Sequence, residues 1–307
     1  MKYVSIKDKK YIAIILLFLI LAGILSLFLR IPDISLLQLR IIRSSLAFLV
    51  GASLSLSGLL LQTLFQNPLV EPFTIGIAGA ASIGAAISII FPFIPTKISA
   101  FIFSILIVLF MARLSRKTSS SELLLTGLMI SFLTSAIVTL LMGLLSPHQI
   151  GALTHWMLGG VEGKRVEDLL LLAIFFVLIW LINITKSNDL NALLLGGESA
   201  KSLGVEVEKL QLIIYLSTSI LTSITVSIVG LIGFVGLLIP HFSRLIFGSD
   251  HRILILIAPI IGGLSLLFTD GIMRFIWYPI EFPLGAVTAL IGAPFFLFLL
   301  VRKRVIA

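Results

Sequence analysis

The sequence predicts an all-α membrane protein, a polytopic bundle of about ten transmembrane helices. Three observations predict it. The 307 residues are 59% hydrophobic and only 12% charged, with a mean hydropathy of +1.19. The apolar residues fall in runs of about 17–25, the length that crosses about 30 Å of hydrocarbon at about 1.5 Å per residue. Strand-like alternation is absent, which excludes an outer-membrane barrel. Inside lipid every backbone polar group must be satisfied within its own segment, so the runs are helices.

Composition narrows the chemistry further. There are no cysteines, so disulfides, thiolate metal sites and thiol catalysis are excluded. The net charge of +8 belongs to Lys and Arg at the ends of spans, where they face anionic lipid and set topology. No soluble basic domain exists to hold a nucleic acid. The lipid bilayer is the expected partner.

The first element is basic at its start (Lys2, Lys7, Lys9, Lys10) and apolar over 11–29. A signal peptide has a shorter core and a small-residue cleavage site, so this run reads as an uncleaved span. Further spans are expected at 44–66, 74–91, 98–114, 122–145, 167–184, 210–229, 231–247, 253–273 and 283–301. The stretch 210–240 is nearly continuous, but Gly230, Gly233 and Gly236 cluster at a plausible break. Charge decides between one helix and two. With ten spans, fifteen of the 22 Lys and Arg lie on the side of the N-terminus; merging the two spans leaves eleven on each side. The positive-inside rule therefore favours ten spans with both termini cytoplasmic. No linker divides the chain, so 1–307 reads as one transmembrane domain. A weak repeat at an offset of 172 sets Gly58, Pro68 and Gly76 against Gly230, Pro240 and Gly248; transporters are often built from such repeats.

The motifs follow the same order. Arg40 and Arg43 sit just outside the second span, on the side assigned as extracytoplasmic, and Arg274 ends the ninth span on that side. The positive-inside rule disfavours arginines there, and their forked guanidinium groups suit carboxylates. Asp270 lies four residues before Arg274, a spacing at which helical side chains meet. Asn67-Pro68-Leu69-Val70-Glu71-Pro72 follows the second span. Two prolines four apart stop a helix, and Asn67 and Glu71 are suited to satisfy the backbone groups thereby freed. Gly76, Gly79, Ala80, Gly84 and Ala85 recur at helical spacing and let helices approach closely. Ser119, Ser120 and Ser121 precede the fifth span and suit either a constriction or a helix cap. The longest polar interruption, 189–209, reads as a helix to Leu195, a Gly196-Gly197 turn, and a helix Glu198–Leu203 closed by Gly204. Such a surface hairpin is a docking element.

Catalytic signals are missing. The four histidines, His148, His155, His241 and His251, lack metal-ligand spacing. Gly159 to Arg165 imitates a phosphate loop but has the wrong glycine spacing and no Ser or Thr after Lys164. No cofactor is expected, and chemical energy must come from another chain. An ion-coupled secondary transporter is the alternative; it needs acidic or histidine relays at the membrane midplane, whereas Asp270 and Glu281 lie near span ends.

From Arg40 to Arg302 the chain resembles the FecCD family, permease subunits of ABC importers for iron chelates, haem and vitamin B12. The resemblance rests on the Arg40–Gly84 stretch with its Asn-Pro-Leu-x-Glu-Pro break. It continues through Gly233-Phe234-Val235-Gly236-Leu237-Leu238-Ile239-Pro240-His241 with Arg244, Gly248 to Arg252, Phe282 to Gly285, and Gly292 to Phe295. It implies a type II ABC importer permease fold, a second permease copy, two ATP-binding subunits and one extracytoplasmic substrate-binding protein. It further implies that Arg40, Arg43 and Arg274 meet glutamates of the binding protein. Leu190, Leu195, Gly197, Glu198, Ala200, Leu203 and Gly204 would couple to the ATPase, and Ser119 to Ser121 would form a cytoplasmic gate. The cargo it favours is a ferric siderophore, with haem, cobalamin and molybdate as further options.

Overall fold

Prolines and glycines decide where this chain can be helical. The computed structural model describes residues 35–114, 120–277 and 280–306; the expected span at 11–29 and Ser119 lie outside the described residues. Those residues form twelve α-helices and no strand. In order they are α1 (Ser35–Leu64), α2 (Ile77–Ile90), α3 (Thr96–Leu114), α4 (Ser120–Met142), α5 (Pro147–Leu158) and α6 (Val166–Ile184). Then come α7 (Ser187–Leu193), α8 (Gly197–Ser202), α9 (Val207–Val229), α10 (Val235–Phe247), α11 (His251–Ile276) and α12 (Leu284–Ile306). A 3-10 turn, Pro72–Ile75, precedes α2.

Six helices, α1, α3, α4, α6, α9 and α11, are long and apolar enough to cross a membrane; α2 and α10 are shorter apolar helices. With α12 these coincide with the nine expected spans after the first. One helix, α5, was not expected. It is started by a capping box: Ser146 Oγ accepts from Gln149 N–H, the Gln149 side chain accepts from Ser146 N–H, and Pro147 takes the first position. The 210–240 stretch divides as the charge count favours, α9 ending at Val229 and α10 starting at Val235.

The core is organised around α1. It and α9 are mostly buried, whereas no more than 28% of α3, α4 or α6 is buried within the protein. α1 runs antiparallel to α11: Arg43 meets Asp270, Ser55 Oγ donates to Ala258 O at 2.8 Å, and Thr63 meets His251. Between these contacts the backbones nearly touch. A Cβ on Gly51 would overlap the carbonyl of Gly262, and one on Gly263 would overlap the Phe48 ring. Lipid supplies no hydrophobic drive between helices, so this close approach is the source of their van der Waals attraction. The stripe at 76–85 is likewise packing: Gly79 faces Thr134, and Gly84 lies against the Ser99 backbone.

The short helices explain the breaks. At about 1.5 Å per residue, the 14 residues of α2 and 13 of α10 extend only about 20 Å. Each needs the irregular segment before it to complete its path, and such backbone must be enclosed by protein. The segment after α1 accordingly folds back, and Pro72 and the Leu54 carbonyl of α1 both lie against Gly236. The chain also breaks at Gly159, Gly230 and Gly285, where three segments meet: Gly160 N–H donates to Val229 O at 2.8 Å, and Gly285 N–H to Gly159 O at 3.3 Å.

Two expectations are corrected. Arg40 and Arg43 do not precede the second helix; α1 begins at Ser35 and carries both. The 172-residue offset carries into local structure at one of its three matches: Gly76 and Gly248 both bound helices at positive φ (83° and 82°), but Gly58 is mid-helix where Gly230 is a break, and Pro68 is in a turn where Pro240 is inside α10. The residues matched by the offset are those that apolar helices use for any close approach.

The α1–α11 contact predicts a clear asymmetry among glycines. Gly262→Val, forced against the Gly51 carbonyl and Ser55, should destabilise the purified protein by about 1–3 kcal/mol. Gly151→Ala, where a Cβ meets nothing within 4 Å, should leave the unfolding midpoint unchanged or raised. Thermal unfolding in detergent measures both.

Candidate functional site

Polar side chains gather at three places along the α1–α11 pair. At the first, three helical ends bring four charged groups together. Arg43 Nε and Nη2 donate to Asp270 Oδ1 at 3.1 and 3.0 Å, and Arg43 Nη1 donates to Glu281 at 2.6 Å. Arg274 Nε lies 3.0 Å from Asp270 Oδ2, and its Nη2 is 3.4 Å from Ser44 Oγ. Asp270 is buried, while Glu281 is more than half exposed. Two arginines thus share one enclosed carboxylate, and the second acid reaches solvent. The expected Asp270–Arg274 pair is present. The same acid also holds Arg43, which the sequence does not pair with it.

The second place is the break after α1. Gln62, buried in α1, donates through Nε2 to Val70 O (3.2 Å), Gly236 O (3.3 Å) and Leu237 O (3.1 Å), and Arg244 Nη1 donates to its Oε1. The Gly236 carbonyl is the one that Pro240, four residues on, leaves without an N–H partner. Trp180 does the same service in α11, donating to Ile255 O at 3.1 Å, the carbonyl left open by Pro259. Within the Asn-Pro-Leu-x-Glu-Pro segment, Asn67 Oδ1 accepts from Leu69 N–H at 2.9 Å, as the sequence suggests. Pro68 is exposed and Pro72 is buried at the start of the 3-10 turn. Glu71 serves a remote group instead of a local one: it accepts from Phe234 N–H at 3.2 Å, at the entry to α10. Phe234 is held at φ 67°, a left-handed conformation that costs a non-glycine residue energy and persists where its surroundings fix it.

The third place is the hairpin of α7 and α8, with the opposite end of α1 and α11. Leu190 and Leu193 of α7 and Ala200 of α8 are buried in the chain's own core. Leu195 and Leu203 are 66% and 64% exposed, and Glu198 is exposed beside Lys201. The residues expected to couple to the ATPase differ in burial: Leu190 and Ala200 anchor the hairpin, while Leu195, Glu198 and Leu203 are presented outward. Gly197 opens α8, and Gly204 follows it at φ 85°. Both helices end earlier than expected, at Leu193 and Ser202. Asp250 caps α11; the Asn191 amide and the Arg252 N–H hold its carboxylate below the usual range. Ser120 and Ser121 lie in the first turn of α4.

The profile of the FecCD transport family matches residues 11–302. The chain belongs to the FecCD transport family. An uncharacterized ABC transporter permease protein, YvrB of Bacillus subtilis, is 35% identical over 279 residues, covering 87% of this chain and 79% of that protein. The vitamin B12 import system permease protein BtuC of Klebsiella pneumoniae is 36% identical over 274 residues, covering 87% and 82%. A solved structure described as an inward-facing metal-chelate type ABC transporter aligns with TM-score 0.84 and 32% identity, covering 94% of this chain and 99% of that one. PsaBC from Streptococcus pneumoniae, at 18% identity and TM-score 0.55, shares the fold. The fold is that of type II ABC importer permeases.

Against this FecCD frame, the residues that sequence reading missed are the internal partners. Gln62, Asn191 and Trp180 carry no motif of their own. Their signal is indirect: each meets a carbonyl or cap that a proline or a helix start elsewhere leaves open. A further cluster lies where α3 and α6 begin. Lys97 Nζ is 2.5 and 2.6 Å from the two Asp168 oxygens, Asp168 also accepts from Arg165 N–H at 3.0 Å, and burial lowers the pKa of nearby Lys164. The rejected phosphate-loop imitation thus leads into an ion-paired helix start, where Asp168 caps Arg165 N–H.

Asp270→Ala would leave Arg43 and Arg274 facing each other without their shared acid. Removing one partner of a buried pair typically costs about 3–5 kcal/mol. We expect a loss of that order for the FecCD chain in detergent unfolding, and a smaller one for the exposed Glu281→Ala.

Proposed function

We propose that this permease forms the translocation pathway of a binding-protein-dependent ABC importer for a metal chelate, with a ferric siderophore as the favoured cargo and haem, cobalamin or molybdate as the others. The permease character follows from family membership. The observation that supports the finer reading is the polarity of the α1–α11 pair: arginines with a solvent-facing acid at one end, a polar hairpin at the other. In this reading the Arg40, Arg43 and Arg274 end faces a substrate-binding protein outside the cell. The α7–α8 hairpin faces two ATP-binding subunits in the cytoplasm, and a second copy of the chain completes the conduit. Ten spans with both termini cytoplasmic place fifteen of the 22 Lys and Arg inside, in keeping with the positive-inside rule. The chain 1–307 acts as one membrane domain and performs no chemistry. Ser119 to Ser121 border its cytoplasmic gate.

The mechanism is alternation between outward- and inward-open states as the ATPases close on nucleotide. A ligand or partner can shift such an equilibrium only by its differential affinity for the two states. Weak contacts along the wall suit release of a large chelate, and specificity then resides in the binding protein.

Two measurements test this. Co-reconstituted with its ATPase and binding protein, the permease should accumulate a radiolabelled ferric siderophore or cyanocobalamin on addition of ATP. Uptake by the permease alone, driven by a sodium or proton gradient, would refute the reading. Arg40→Glu should weaken capture of the binding protein by about tenfold at low salt, with the difference shrinking at high salt as charge is screened.

A further inference from the structure

Two arms of the hairpin are attached to the membrane helices by different means. The inner arm, α7, is bonded along its length. Arg252 Nε donates to Asn188 Oδ1 at 2.8 Å, and Gln66 Nε2 donates to Leu193 O at 2.8 Å. Leu190 and Leu193 are buried beneath it. The outer arm, α8, lies between Gly196 at φ 101° and Gly204 at φ 85°, with only Ala200 buried and the Lys201–Glu208 pair (2.8 Å) tying it to α9. A stiff inner arm and a glycine-bounded outer arm have different mechanical roles.

Asn191 is the centre of the stiff attachment. Its Nδ2 donates to Asp250 Oδ1 at 2.7 Å, and its Oδ1 accepts from the His251 backbone N–H at 2.8 Å. Turning the amide over would set a donor against a donor and an acceptor against a carboxylate, so its orientation is dictated by its partners. The same Oδ1 lies 3.0 Å from His251 Nδ1, which must then carry a proton. In the neutral ring Nε2 is left as an acceptor, 2.7 Å from Thr63 Oγ1 at the end of α1. Thr63 has one hydroxyl proton, and it divides between this nitrogen and Leu59 O at 2.9 Å. Asp250 closes the chain by accepting from Arg252 N–H at 3.0 Å in the first turn of α11. One amide therefore caps α11, belongs to α7 and reaches α1 through a single buried imidazole.

We infer that Asn191 is a positioning residue for transport: with Asp250, His251 and Thr63 it joins α7 to α11 and α1 as one body, so that displacement of the hairpin reaches the far end of both helices. This rests on the reading of the hairpin as the ATPase-facing element. It assigns transmission to α7 and contact to α8. Side chains on α8 determine whether the ATPase binds; the Asn191 joint determines whether its motion is passed on.

The chain has no cysteine, so Leu39→Cys, exposed near the start of α1, takes a unique environment-sensitive fluorophore. In the reconstituted complex with the ATPase, a non-hydrolysable ATP analogue should change the emission of this reporter. Asn191→Ala should reduce that change by about fivefold or more, while ATP hydrolysis and complex assembly stay within about twofold. Thr63→Val, which keeps α7 bonded to α11, should reduce it by about threefold, and the double variant should respond no less than Asn191→Ala alone, because both cut one serial link. A role in folding alone would lower the melting temperature and hydrolysis together and would add in the double variant. A full reporter response in Asn191→Ala overturns the inference. If Asn191→Ala fails to assemble, a full response in Thr63→Val does so. A parent complex whose reporter ignores nucleotide, and which takes up no cargo with ATP, removes the underlying reading along with it.

Discussion

Every open backbone group inside the bilayer needs a partner from the protein itself, and this constraint organises the structure. Lipid offers no hydrogen bonds, so a proline or a helix break within the membrane creates an acceptor or donor that some side chain must meet. Pro240 opens Gly236 O, and Gln62 meets it. Pro259 opens Ile255 O, and Trp180 meets it. The entry to α10 exposes Phe234 N–H, and Glu71 meets it. In each case the partner is remote in sequence, so each break becomes a fixed cross-link between helices. The features that interrupt helices are thus the features that hold the bundle in register.

α1 gains its central place from this. It supplies Gln62 to α10 and Thr63 to α11, the turn at its end supplies Gln66 to α7, and its glycines admit α11 to backbone contact. Small residues and polar groups do different work here. The glycines maximise dispersion contact, which is unspecific in register. The buried amide and hydroxyl groups define one register, because a shift of one residue would strand them without partners. Ser55, bonded to Ala258 O between the two glycine contacts, does both.

The sequence made the bundle legible where lipid alone dictates the answer. Nine expected spans coincide with helices, because length and hydropathy are local properties. It also located the breaks at Asn67–Pro72 and Gly230, since proline and glycine act on their own backbone. What it could not supply was the identity of remote partners. Glu71 was read as serving its own turn, and it serves a residue 163 positions away. The Asp270–Arg274 pair was legible from its four-residue spacing, but not that the same buried acid also holds Arg43, 227 positions away. The α7–α8 residues were read together as a coupling set, and burial divides them into anchored and exposed residues. Helix α5 carried a readable cap at Ser146 and Gln149, but its 12 residues are too short for the span criterion that governed the rest.

The charged end of the α1–α11 pair and its polar end are solved differently, and the difference bears on motion. At the charged end, Asp270 is shared by two arginines while Glu281 takes the remaining side of Arg43 from an exposed position. An exposed ion pair contributes little net stability and is easily exchanged for another carboxylate. At the other end, the Asn191–His251–Thr63 bonds are neutral and run from a part-buried amide to a buried imidazole and hydroxyl, with donors matched to acceptors, and breaking the inner one leaves a group unsatisfied. The pair is therefore clamped at the hairpin end and adaptable at the arginine end. Because α1 and α11 touch backbone to backbone between them, a tilt imposed at the clamped end is carried to the adaptable one with little room for bending in between. There, exchange of one exposed carboxylate for another costs least.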